Sequence, residues 1–179
     1  MTTVSERPAR RPRRRLVVLG LVVAVVAGLG TWAWQTWYPQ VRIDGGADYG
    51  VGSAPARAAV TVGMGICLGG DGTARVVAVR PTSAKNGLHV RAFGVSARRD
   101  QGVGVVAQPI SALPAFSGRR PVSSCTGEAG GSDLAVQVDA PRYPASTGGF
   151  EVDYEVRGVI RTVDANYGVV LYAGKTPPL

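Results

Sequence analysis

An uninterrupted apolar segment near the N-terminus divides this chain into parts that belong in different solvents. Residues 16–30 are Leu, Val, Ala and Gly alone, and no charged side chain occurs between Leu16 and Val41. As a helix, residues 16–37 would be about 33 Å long, enough to cross a hydrocarbon core of about 30 Å. The far end carries amphipathic rings of the kind that favour the headgroup level of a bilayer, namely Trp32, Trp34, Trp37 and Tyr38. The segment therefore predicts one transmembrane helix, a signal anchor in contact with membrane lipid.

The residues before this segment carry most of the excess charge of the chain. Residues 1–15 contain six Arg and one Glu, which is +5 of the formal net charge of +8. Two prolines and repelling charges predict a disordered arm. Because cationic flanks stay inside, Arg13, Arg14 and Arg15 predict a cytoplasmic N-terminus and a C-terminal domain outside the plasma membrane. Signal cleavage near Ala33, which would release a secreted domain, is the alternative.

Small side chains recur every four residues within the apolar segment. Gly20, Ala24 and Gly28 would share one stripe of the helix. Such a stripe lets two helices approach closely in lipid. A homodimer through the helix is therefore one interpretation, and the ordinary abundance of Gly and Ala in membrane helices is the other.

Beyond the segment, the sequence acquires a period of two. Residues 38–57 are rich in Gly, Ala and Pro and predict a flexible stalk. Residues 58–175 are long enough for one hydrophobic core, with 176–179 as a tail. Phe150–Arg157 alternates most clearly and predicts a strand with one apolar face and one charged face. Other stretches with a strand pattern are 60–66, 74–81, 88–97, 102–108, 133–139, 159–163 and 167–173.

Turn signals separate these strands. Asn86-Gly87 marks a turn between the second and third strands, and residues 164–166 join the last two strands. Seven or eight short strands with turns between them predict an all-β fold, either an antiparallel sandwich or a small barrel. Cys67 and Cys125 are the only two cysteines, so outside the cell they predict one disulfide.

The residue inventory excludes most catalytic arrangements. The chain has one His, and it lacks the motifs of zinc hydrolases, serine hydrolases and phosphate-binding loops. We therefore predict no enzymatic activity, no cofactor and no metal site. Glu151, Asp153 and Glu155 share one face of a strand, where paired carboxylates can do acid–base work, so a hydrolase-type enzyme is the alternative. The solvent-exposed face of a strand, with its carboxylates neutralised by Arg157 and Arg161, would have the same pattern of acidic residues.

Two basic pairs lie in predicted loops. Arg98 and Arg99 begin one loop, and Arg119 and Arg120 lie in the long connection over residues 109–132. Such pairs suit an envelope protein or an anionic wall polymer, so they predict a binding surface. Nucleic acid is excluded as a partner, since the exported part carries only +3 and has no aromatic platform between its basic residues.

Three stretches together resemble a known group of proteins. Residues 73–95, 150–158 and 168–173 carry a Val-Arg-Pro turn, an Asn-Gly turn and a closing hairpin pattern. In these stretches the chain resembles small membrane-anchored extracytoplasmic proteins of actinobacteria, most of which have no assigned activity. The resemblance implies an immunoglobulin-like β-sandwich on the outer face of the plasma membrane. We therefore predict a single-pass membrane protein with a non-catalytic extracytoplasmic binding or assembly domain.

Overall fold

The computed structural model describes most of the chain. It covers residues 12–37, 39–44, 47–54, 59–99, 104–116, 120–126 and 130–173, with the backbone alone at 12–16, 34–37 and 47–54. The chain divides into two compact units, residues 1–38 and residues 39–179. The first unit contains one helix, and the second contains β-sheets.

The helix, α1, begins earlier than the sequence predicts. It runs from Pro12 to Trp37, and proline is favoured at the first position of a helix. The prediction of a disordered arm over residues 1–15 is therefore wrong for Arg13–Arg15, whose backbone is helical. Arginine is a good helix former, and these three residues lead directly into the apolar run. Residues 1–11 lie outside the described part of the chain.

The large apolar side chains described on α1 are exposed. From Val17 to Trp32 they are 51–68% exposed. A Cβ added at Gly20 or Gly28 would meet nothing within 4 Å, and Ala24 is also exposed. The stripe of small residues therefore faces open space, and helix pairing through it stays a prediction.

A membrane span was predicted for residues 16–37. Within the described residues, no helix is long and apolar enough to cross a membrane. The predicted span extends past both ends of the described side chains, which run from Val17 to Ala33. The interfacial side chains of Trp34, Trp37 and Tyr38 lie outside them.

Eleven strands occur in the described part of the second unit, compared with the seven or eight predicted. In chain order they are β1 (Gln40–Asp44), β2 (Ala47–Ala54), β3 (Val60–Gly69), β4 (Ala74–Thr82), β5 (His89–Val95), β6 (Val105–Val106), β7 (Ser132–Asp139), β8 (Ala145–Thr147), β9 (Gly149–Val156), β10 (Val159–Ala165) and β11 (Tyr167–Ala173). Two short 3₁₀ turns, Ile110–Ala112 and Pro114–Phe116, precede β7.

These strands form three sheets. The five-stranded sheet has the order β1-β3-β7-β5, with β6 beside β3. The charged sheet, named for its outer face, has the order β10-β9-β4, and the mixed sheet has the order β2-β11-β8. β4 lies beside β5 and β1 lies beside β10, so the first two sheets adjoin at both edges. The fold is mostly antiparallel β, which is consistent with the predicted sandwich.

Strand alternation produces the core. In β9, Phe150, Val152, Tyr154 and Val156 are at most 3% exposed, while the acidic residues between them stay at the surface. Inward-facing residues of β3 and β7 join the same apolar cluster. Burying one such side chain stabilises the fold by about 1.5–3 kcal/mol relative to leaving it exposed. The apolar face of β9 thus joins the charged sheet to the core.

The predicted flexible stalk over residues 38–57 is wrong for the strands that it contains. β1 pairs antiparallel with the C-terminal half of β3, and Val41 of β1 is 3% exposed. β2 pairs in parallel with β11, at the other end of the sequence. β1 does alternate, with Val41 and Ile43 between polar residues, but over only five residues, which is too short to stand out within a Gly- and Ala-rich stretch. β2 contains two glycines and has no clear alternation.

The Asn-Gly turn forms as predicted, but it does not close a hairpin. Asn86 and Gly87 both have positive φ, 56° and 77°, which Asn tolerates and Gly adopts freely. The flanking strands belong to different sheets, since β4 pairs with β9 and β5 pairs with β7. The turn therefore carries the chain from the charged sheet to the five-stranded sheet.

The connection between β5 and β7 covers part of the outer face of the five-stranded sheet. Phe116 in this connection is 3% exposed. The backbone N–H of Ile110 donates to Oε1 of Gln137 in β7 at 3.0 Å. Gly94 makes room for the connection, since a Cβ there would collide with the carbonyl oxygen of Phe116. This part of the long connection is therefore packed on the sheet and is not a free loop.

The predicted disulfide between Cys67 and Cys125 is present. Cys67 lies in β3 and is 4% exposed. The backbone N–H of Cys125 donates to the carbonyl of Leu68 at 3.0 Å, and that of Val122 donates to the carbonyl of Ala74 at 2.9 Å. The disulfide therefore fastens the connection to β3.

Candidate functional site

The three acidic residues predicted on one strand face lie together on the outer face of the charged sheet. Arg80 of β4 contacts Asp153 with Nη1–Oδ2 and Nη2–Oδ1 distances of 2.5 and 3.0 Å. Its Nη2 atom lies 3.4 Å from Oε2 of Glu151. Arg75 of β4 stands opposite Glu155 in the register. Basic residues of β4 thus accompany the acidic row of β9.

Asp153 is the most restrained of the three carboxylates. Its side chain is 14% exposed, whereas that of Arg80 is 52% exposed. The hydrogen bond from Arg80, and after it the bond from the hydroxyl of Thr162 at 2.7 Å, lower the pKa of Asp153. Asp153 in turn raises the pKa of Arg80. A carboxyl group that stays ionised and already accepts these bonds is a poor general acid.

The cation beside Asp153 comes from β4, a predicted strand whose pairing with β9 the sequence did not indicate. In the β9–β10 register Arg161 stands opposite Tyr154, whose ring is buried, and neutralisation of the acidic row by Arg157 and Arg161 stays a prediction. Thr162 is the residue opposite Asp153. Arg80 precedes Asp153 by 73 positions, and only the pairing of β4 with β9 brings the two together.

The substitution Asp153→Asn should make the stability of the domain less dependent on pH. The folded-state pKa of Asp153 is lowered, so its contribution is present above the unfolded value of about 3.9 and is lost as pH falls through the folded value. We expect the variant to melt a few degrees below the wild type at pH 7, and the difference to shrink below about pH 4. Circular dichroism melts between pH 3 and 7 measure this. Glu155→Gln, on the same strand face, is the control and should shift the melting temperature less; a difference for Asp153→Asn that stays constant down to pH 3 contradicts the assignment.

A groove lies at the seam between the charged sheet and the five-stranded sheet. It has a volume of about 460 Å³. Its walls come from the adjoining edge strands β4 and β5, and the residues that line it are Val77, Ala78, Val79, Val90, Arg91, Ala92 and Phe93. Neither strand was assigned a functional role from the sequence, so this site was missed.

A β-bulge occurs in each wall of the groove. The register of β4 against β9 shifts between Val76 and Ala78, and that of β5 against β7 shifts between Val90 and Ala92. Each bulge leaves one residue, Val77 or Arg91, outside the ladder. The spacing of inward-facing apolar residues then grows from two to three, as in Val90-x-x-Phe93. This spacing of three is visible in the sequence and marks the two bulges that lie at the groove.

Arg91 provides the charge at the groove. Its side chain is 65% exposed, and its Nη1 atom lies 3.3 Å from Oδ2 of Asp139 in β7. The other carboxylate oxygen of Asp139 accepts a hydrogen bond from the backbone N–H of Ala140 at 2.8 Å. A guanidinium has five N–H donors, so this single ion pair leaves donors for a second acceptor. The groove thus combines apolar walls with a cation.

The predicted basic surface is only partly described. Nη1 of Arg99 lies 2.6 Å from Oδ2 of Asp44, so Arg99 forms an ion pair within the domain. Arg98 and Arg120 are exposed, and Arg119 lies outside the described residues. A binding role for these four arginines stays a prediction.

The part of the chain that the structure describes contains no group of three or more His, Cys, Asp or Glu side chains placed to hold a metal ion. Comparison with protein-family models, curated proteins and solved structures finds no match to this chain. The resemblance to extracytoplasmic proteins of actinobacteria therefore stays a prediction.

Proposed function

We propose that this chain is a single-pass protein of the plasma membrane, with its N-terminus in the cytoplasm and its β-rich unit outside. Support comes from the exposed apolar side chains of α1 between Val17 and Trp32 and from the absence of charged residues between Leu16 and Val41. The arginines before the segment favour this orientation. The disulfide is what an oxidising, extracytoplasmic environment permits.

We further propose that the outer unit is a non-catalytic binding domain with an immunoglobulin-like sandwich architecture. The observation that carries the binding role is the β4–β5 groove, an open groove of about 460 Å³ in which apolar side chains lie beside the cation of Arg91, because ligand sites combine apolar walls with a few polar groups. The ligand belongs to the cell envelope, as an envelope protein, a wall polymer or a smaller envelope molecule. The groove is lined by residues of both sheets, so the fold itself holds its shape.

The alternatives receive less support. A hydrolase using Glu151, Asp153 and Glu155 would need one of these carboxyl groups to exchange protons, and Asp153 is held ionised by Arg80. Cleavage near Ala33 would leave the same β-rich unit free of the membrane. In that case the groove would act in a secreted protein.

Crosslinking from the groove tests the binding role. A diazirine-bearing amino acid replaces Val77, which lines the groove and is 39% exposed, in the full chain in its own membranes. The control is the same replacement at Ile160, which lies in the charged sheet and is 65% exposed. We expect one discrete adduct from position 77, at least about fivefold above position 160 although position 160 is more exposed, because burial in a groove prolongs contact.

A second change separates groove binding from surface encounters. Ala92→Trp fills the groove from the β5 wall and should remove the adduct formed at position 77. Equal yields from positions 77 and 160, or an adduct unaffected by Ala92→Trp, would contradict the proposed binding role.

A further inference from the structure

The groove opens onto the hydrophobic core. Val79 of its β4 wall is 7% exposed, and Val90 and Phe93 of its β5 wall are partly buried and pack against the core cluster. Val77 at the rim is 39% exposed, the largest exposure of a large apolar residue described in β4 or β5. An apolar group lying in the groove would therefore contact side chains that already belong to the core and would cover Val77.

The groove is unsuited to an added β-strand. Cα atoms of β4 and β5 approach within 8 Å of each other, whereas a strand inserted between them needs two strand spacings, about 9.5 Å. The bulges at Val77 and Arg91 interrupt the regular edge that a strand would pair with. Pro81 of β4 has no backbone N–H to donate. A slender chain without hydrogen-bonding needs fits these walls better than a peptide backbone.

Arg91 offers hydrogen-bond donors to an anionic group at the rim of the groove. Arg91 is the charged side chain among the residues that line the groove, and Asp139 is its ion-pair partner at 3.3 Å. The Arg91 side chain is 65% exposed, so the N–H groups that Asp139 does not use can donate to a second carboxylate.

We propose that the β4–β5 groove binds an unbranched acyl chain that ends in a carboxylate, with the chain between Val77 and Phe93 and the carboxylate on Arg91. The inference rests on the proposed binding function and names the ligand class of that same site. Affinity should rise with chain length while the chain still fits, by roughly twofold to fourfold per CH₂, because each buried CH₂ adds apolar contact.

The test uses the full chain in phosphatidylcholine nanodiscs and octanoate carrying a diazirine in mid-chain. Mass spectrometry should place the label in the peptides that contain residues 77–79 and 90–93. Hexanoate, octanoate and decanoate should compete in increasing order. Arg91→Gln should lower labelling roughly tenfold, since it removes a charge-assisted hydrogen-bond donor. Arg142→Gln, at an exposed arginine absent from the groove lining, is the matched control and should leave labelling unchanged.

Two results would overturn the inference. Equal labelling by octanamide or octylamine carrying the same diazirine would show that the carboxylate is not recognised. Label spread over the chain without preference for either wall would show that the acyl chain does not enter the groove. If either result is obtained and position 77 still gives a discrete adduct in membranes, the proposed binding function holds with another ligand. If that adduct is absent as well, both proposals are refuted.

Discussion

Replacing both cysteines, as in Cys67→Ala/Cys125→Ala, should lower the free energy of unfolding of the β-rich unit by about 4 kcal/mol. The two cysteines are 58 positions apart, and closing a loop of that length removes much of the conformational entropy of the unfolded chain. The corresponding drop in melting temperature is roughly 10 °C or more for a domain of this size. Urea and thermal unfolding of the full chain, followed by circular dichroism, measure the change.

Loss of the disulfide should also raise the local rate of hydrogen exchange near Cys125. The disulfide fastens residues 120–126 to β3, where the N–H groups of Val122 and Cys125 donate to the carbonyls of Ala74 and Leu68. Hydrogen exchange in the double variant should therefore speed up at residues 120–126 before it does in β9. Dithiothreitol added to the wild type is the control, and it should reproduce the shift while leaving the double variant unchanged. A loss below about 1 kcal/mol would contradict the assigned role of the bond.

The strands that could be predicted from sequence are those whose pattern is local. β4, β7, β9 and β11 begin and end within one residue of the predicted ranges, because each is a short run rich in Val and other strand-forming residues between turn or polar residues. β1, β2 and β8 were not predicted. Their hydrogen bonds go to β3 and β11, and nothing within their own short or glycine-rich sequences records those partners.

The candidate site, like the strands, could be predicted from the sequence only in part. The acidic row of β9 could be predicted from spacing alone, but its main cation, Arg80, comes from a strand 73 positions away from Asp153. The groove requires β4 and β5 to adjoin as the edges of two sheets. The Asn-Gly turn indicated only that the chain turns between them, and the pairing of β4 with β9 and of β5 with β7 is not recorded locally. Sheet membership is decided by long-range packing, so the groove had no complete local signature.

The proposed location of the β-rich unit outside the plasma membrane can be tested with amines that the chain already contains. Lys85 and Lys175 are the only lysines, and both follow the apolar segment. Lys85 is exposed at the Asn-Gly turn. The α-amino group of Met1 would lie in the cytoplasm in the proposed orientation.

A membrane-impermeant amine reagent therefore tests both sides of the membrane in one experiment. Intact cells are treated with a sulfonated succinimidyl ester, and the labelled sites are located by mass spectrometry, with lysed cells as the reference for full reactivity. We expect Lys85 to be labelled in intact cells. We expect the N-terminus of the same full-length chain to be labelled only after lysis. Labelling of Lys85 only after lysis, labelling of the N-terminus in intact cells, or recovery of a chain that begins after Ala33 would contradict the proposed location and orientation.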